Sequence, residues 1–269
     1  MKKSIFILLH PLFLSIVVFQ LLAACNDLQC IDGNNEMTAQ SRQLSGSFDK
    51  IGLSTDFTVF ISHSDTNSLS VEAESNLMPN IITVVNNHQL ELKTSENTCL
   101  NPRKPVIIRI FTNNIKDISI TGAGTIQSDS ILTEQLNITV SGSGSVKAPI
   151  KVEKLSASIA GSGNIEIWGK AANCQLDISG SGNLESYGLD QDSCVSSISG
   201  SGNMFIYVRN ILNASISGSG SVYYKGNPEL NTQVSGTGRV VNQQNSNNRA
   251  YSPRGSFNSF SSRSMFMIY

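Results

Sequence analysis

The chain has 269 residues, of which only 14% are charged, and a formal net charge of −1. Removing residues 1–24 takes away Lys2 and Lys3 and no acid, so the remainder is more acidic still. This balance excludes the basic footprint of a nucleic-acid partner, and the scarcity of charge argues against a helix-rich domain.

Residues 1–24 read as a leader. Lys2 and Lys3 form a positive start, and an apolar run from Ile5 to Leu22 ends in Leu22-Ala23-Ala24-Cys25. Small residues ahead of a cleavage point are the signal-peptide pattern, and the run is short for a membrane span. The cysteine directly after them resembles a bacterial lipobox. That resemblance implies cleavage before Cys25, lipidation of its thiol and attachment to a membrane surface without spanning it. Residues 25–45 are polar and aperiodic, and they read as a tether.

From Phe48 to about Ile110 the chain changes to short β-branched runs: Phe57–Ile61, Leu69–Ala73, Ile81–Val85, Leu90–Lys93 and Val106–Phe111. Turn residues such as Asn86-Asn87 bound them, which predicts strands. Residues 111–242 then carry a glycine-bracketed motif seven times, with first glycines at Gly122, Gly142, Gly161, Gly180, Gly200, Gly218 and Gly236. Two residues before each stand Ile120, Val140, Ile159, Ile178, Ile198, Ile216 and Val234, all β-branched. Four residues after each stand Ile126, Val146, Ile165, Leu184, Met204, Val222 and Val240. One residue class at one offset in every copy means that these side chains stack in a shared interior. The fold class this predicts is all-β: a parallel β-helix of coils about 19 residues long, taken as right-handed from the crossover rule. Ser143, Ser162, Ser181, Ser201, Ser219 and Thr237 should form a hydroxyl ladder at the turns, with Asn164, Asn183 and Asn203 as an amide ladder beside it. Residues 243–269 are Asn-, Ser- and Arg-rich, end in Ser264-Met-Phe-Met-Ile-Tyr269, and read as a largely disordered tail.

Chemistry is sparse. No Gly-Lys-Ser/Thr follows the glycines, and no aspartate stands where a calcium-binding β-roll needs one, so no cofactor or metal is expected. His63 and His88 adjoin no nucleophile pattern. The charges in the repeats (Lys147, Glu166, Glu185, Lys225 and Arg239) are scattered, so catalysis has little support. Cys174 and Cys194 occupy equivalent offsets in adjacent coils. They fit either a disulfide or two buried thiols acting as small hydrophobes. Cys30 and Cys99 are a further candidate pair. Seven residues after the first glycine, Trp168, Tyr187 and Tyr207 fall on three consecutive coils at outward parity. They form either a binding stripe for sugars or a partner's side chains, or a cross-strand ladder that stabilises the sheet.

Phe48-Asp-Lys-Ile51, Asn76-Leu77 before Ile81, Leu90-Glu-Leu92 and Ile118-Ser-Ile120 leading into the repeats resemble the auto-transporter adhesin head domain, or GIN domain, of exported Bacteroidetes proteins, over residues 46–242. The resemblance implies a β-helical protein of the cell envelope; together with the lipobox and the scattered charges, the expectation is a non-enzymatic outer-membrane lipoprotein. Its partners would be the membrane, through its lipid, and a glycan or surface protein. The alternatives are a carbohydrate-active enzyme and a self-assembling structural protein.

Overall fold

The computed structural model describes residues 30–244. The expected leader, the lipid-acceptor Cys25 and nearly all of the 243–269 tail lie outside the described residues.

Within the repeats, apolar and polar residues alternate with period two, and each copy forms one long strand: Ser145–Gly161, Asn164–Gly180, Asn183–Gly200 and Asn203–Gly218. These strands pair in parallel and in register, so that Gly142, Gly161, Gly180, Gly200, Gly218 and Gly236 lie in one column. The result is an all-β solenoid of about 7 turns. The two aliphatic columns face inward. Ile120 through Ile216 and Ile126 through Val222 are buried, each contributing about 1.5–3 kcal/mol on full burial.

Both glycines of the turn are required, for different reasons. The first sits at positive φ, +133° at Gly180 and +135° at Gly200. A Cβ on Gly200 would also lie 2.3 Å from the carbonyl oxygen of Gly180 in the preceding coil. The second packs against the aliphatic column: a Cβ on Gly182 would come within 2.6 Å of Ile159 Cγ2. This closeness lets two backbone N–H groups, those of Ser201 and Gly202, donate to the single carbonyl of Gly180 at 2.8 and 3.0 Å. The same pair of bonds recurs onto Gly161, Gly200 and Gly218. Side chains add less than the sequence predicts. Of the hydroxyl ladder, Thr237 bonds Ser219 at 3.1 Å, and of the amide ladder, Asn203 bonds Asn183 at 3.3 Å.

The segment 46–110 is continuous with the stack. Lys50–Leu53 pairs in parallel with both Asp117–Ile120 and Gln89–Thr94, and Thr58–Ser62 with Thr125–Ser128 and Ile107–Phe111. Antiparallel strands then close this end. Ile81–Asn86 forms a hairpin with Gln89–Thr94 through Asn87 and His88, both at positive φ, the geometry of a two-residue hairpin turn. Ser68–Glu74 pairs antiparallel with Ile107–Phe111.

The tether reading of residues 25–45 is corrected from Cys30 onward. Met37–Arg42 adds antiparallel to Ser68–Glu74, Ile31–Asp32 pairs with Leu100–Asn101, and Cys30 is disulfide-bonded to Cys99. The strand Met37–Arg42 shows no period in sequence because nearly all of it is exposed. It is held by backbone pairing and by Arg42, whose guanidinium donates to the carbonyls of Ile81 and Met78. Beside it the buried carboxylate of Glu74 accepts the N–H groups of Asn35, Arg103 and Lys104. Burial pushes its pKa up, but these three donors and the nearby Arg103 charge hold it below the ordinary value.

Replacing Gly200 by Ala adds a Cβ where the Gly180 carbonyl stands, at a φ that L-residues avoid. Denaturant unfolding should show a loss of about 2–4 kcal/mol, against about 0.5 or less for the exposed neighbour Ser201→Ala.

Candidate functional site

The outward face beside the glycine turns carries two columns of side chains. One runs Lys147, Glu166, Glu185, Phe205 and Tyr223, and the other Pro149, Trp168, Tyr187, Tyr207 and Lys225. Trp168, Tyr187 and Tyr207 are half-buried, each following a buried inward residue: Ile167, Ser186 and Ile206. Their rings do not stack along the column. Register shifts between Glu166 and Gly169 where the strand Asn164–Gly180 meets Asn183–Gly200, and Gly188 comes to lie beside Trp168. A Cβ on Gly188 would fall 2.8 Å from Trp168 Cβ. This bulge displaces Tyr187 from Trp168.

Tyr187 instead leans diagonally across the next coil. Its ring meets Phe205 edge-on at 5.7 Å, and Phe205 stacks on Tyr223 at 5.1 Å with planes 10° apart. Lys225 Nζ sits 4.4 Å from the Tyr187 ring centre. Burial, then the neighbouring Tyr223 and Glu185, push the Tyr187 phenol up to about 12. Phe205 and Tyr223 are the site residues that sequence reasoning missed. The signal was their shared offset, five residues after Gly200 and Gly218, a column that begins with charged residues. Trp168 is approached by Lys147 at 5.8 Å, and Lys147 pairs with Glu166 at 3.0 Å. Among the described residues no other aromatic ring contacts Trp168 or Tyr207.

Where the strands leave the other corner, a shallow groove of about 490 Å³ crosses several coils, with Lys50, Lys116, Lys154, Asn137 and Gln175 in its lining. Its charges are mixed: Lys116 pairs with Asp49 at 3.1 Å, and Asn137 donates to Asp117 at 2.8 Å. Among the described residues no group of three or more His, Cys, Asp or Glu is placed to hold a metal ion. Cys174 lies in the groove lining. Cys174 and Cys194 are register partners, yet both are free buried thiols, so the disulfide reading gives way to the hydrophobic one. In-register parallel neighbours stand about a strand spacing apart, wide for the Cβ separation that a disulfide needs.

Residues 47–228 match the family described as "Putative auto-transporter adhesin, head GIN domain". The chain belongs to this family. The GIN-domain chain also superposes on solved structures. One, described as a putative adhesin from Bacteroides fragilis, has a TM-score of 0.75 at 24% identity, with 79% of this chain and 99% of that one covered. Another, described as a putative lipid binding protein from Parabacteroides distasonis, gives 0.69 at 25%, covering 80% and 99%. A putative adhesin from the same organism gives 0.62 at 19%, covering 80% and 100%. No curated protein matches the chain. The family is adhesin-like and suggests a cell-envelope or surface protein.

Burial, with some help from Asp192, raises the Cys174 thiol to about 12, and burial raises Cys194 well above its ordinary value. Thiolate is therefore scarce in the folded state at any ordinary pH. Iodoacetamide at about pH 8 should leave both thiols unlabelled in the folded protein and label both in denaturant, read by mass spectrometry.

Proposed function

We propose that this GIN-domain protein is a lipid-anchored, non-enzymatic adhesin of the outer membrane, and that Trp168 and Tyr207 are its glycan-contacting residues. The observation that carries this reading is the division of labour among the outward aromatics. Phe205 and Tyr223 turn their faces to each other, and Tyr187 is occupied by Phe205 and Lys225, so these three rings serve as a stabilising ladder. Trp168 and Tyr207 stand two coils apart, about 9.6 Å at a strand spacing of about 4.8 Å, half-exposed and, among the described residues, clear of other rings. That separation suits two sugar residues of one chain, whose apolar faces pack on aromatic rings. Charged groups beside them, Lys147, Glu166 and Glu185, supply hydrogen-bonding partners for hydroxyls.

A glycan array probed with the chain from residue 26 onward should give discrete binders. Trp168→Ala with Tyr207→Ala should weaken them about tenfold or more, while Phe205→Leu lowers stability by about 1–2 kcal/mol and leaves binding in place. A silent array together with capture of a surface protein sensitive to the same pair would move the ligand to the protein class. Binding that survives the double substitution would sink the site. The anchor is read separately. Cells fed an alkyne fatty acid should label the wild-type chain and not Cys25→Ser, and equal labelling would overturn the lipid assignment.

A further inference from the structure

Two residues after Pro149, Trp168 and Tyr207 stand Lys151, Lys170 and Arg209, all exposed. Ile150 and Val208 lie between two of these pairs and are buried, so each pair shares the outward side of its strand. Gly169 separates the third pair at a φ of +114°. A basic column therefore runs beside the aromatic one.

Lys151 and Lys170 are register partners on adjacent strands, which sets their Cα atoms about 4.8 Å apart. Like charges placed directly opposite one another disfavour a sheet unless a counter-charge lies between them. The nearby carboxylates are committed elsewhere. Asp190, the register partner of Lys170 on its other side, accepts two nitrogens of Arg209, which also reaches Asp192 at 3.6 Å. Glu166 pairs with Lys147 at 3.0 Å. Among the described residues no carboxylate lies within ion-pair distance of Lys151 or Lys170. In a chain whose net charge is −1, these two ammonium groups make a local positive spot beside the half-buried Trp168. Lysine is a point charge with three donors on a flexible stem, so two of them can converge on one tetrahedral or planar anion. Hydrogen bonds from a charged donor to a charged acceptor are stronger than those to a neutral hydroxyl.

We propose that the sugar resting on Trp168 is acidic, and that Lys151 and Lys170 together receive its carboxylate or sulfate. This rests on the glycan reading above and narrows it to anionic polysaccharides. Arg209 is compensated by Asp190 and Asp192, so the sugar on Tyr207 is under no such requirement.

Calorimetry on the chain from residue 26 onward tests this with two matched pairs of probes. One is a uronic-acid oligosaccharide with its carboxyl-reduced form, the other a sulfated oligosaccharide with its desulfated form. In at least one pair the acidic member should bind about tenfold or more tighter at about 50 mM salt, and about 0.5 M salt should shrink the gap. The pair that shows the gap tells carboxylate from sulfate. Lys151→Gln with Lys170→Gln should erase it. Lys50→Gln with Lys154→Gln, an equal loss of charge at exposed positions of the groove, should keep it. Equal affinities within both pairs, or no binding of either acidic probe, would overturn the proposal. So would a gap that the groove variant erases as well. Binding of every probe that survives Trp168→Ala with Tyr207→Ala would instead sink the glycan reading underneath.

Discussion

The fold rests on one repeated contact, the backbone carbonyl of the first glycine in four successive turns receiving two N–H groups from the coil above. Gly161, Gly180, Gly200 and Gly218 each accept such a pair. The bonds form only because no Cβ separates adjacent turns, and the spare volume is absent at every rung. Coil length, column register and the outward placement of the aromatics all follow from fixing this corner. Once the glycines align, the aliphatic residues before and after them have nowhere to go but over their counterparts.

The interior tolerates one anomaly. In the coil Asn183–Gly200, Ser186, Gln191 and Ser196 replace aliphatic residues of the neighbouring coils, and Cys194 stacks between Cys174 and Leu212. Ser186 and Ser196 donate to the backbone carbonyls of Phe205 and Asn213, whereas both polar atoms of the Gln191 amide are buried without a partner. An unpaired buried amide disfavours the folded state, so this coil is held by its neighbours' ladders more than by its own core. The same coil carries the extra residue that brings Gly188 beside Trp168, so its irregularity is visible on both faces.

Much of this was legible in sequence, and the failures have physical reasons. Glycine spacing and the two aliphatic columns predicted the parallel stack, because steric and hydrophobic signals repeat at fixed offsets. The strand Met37–Arg42 was hidden, because an exposed edge strand held by backbone bonds leaves no apolar alternation to read. Its partner Glu74 gave no sign either, since three backbone donors from distant segments converge on it only in space. At the outward face, parity assigned Trp168, Tyr187 and Tyr207 to the side opposite the buried Ile167, Ser186 and Ile206. It did not predict that Tyr187 would turn to Phe205, because that choice depends on a local bulge.

The Cys30–Cys99 bond has a mechanical meaning. A pull entering from the N-terminal side reaches Cys30 before any strand of the body. The force then passes through sulfur to Cys99, at the strand Leu100–Asn101, and bypasses the exposed strand Met37–Arg42. Residues 30–99 therefore form a covalent loop that tension cannot unzip one hydrogen bond at a time.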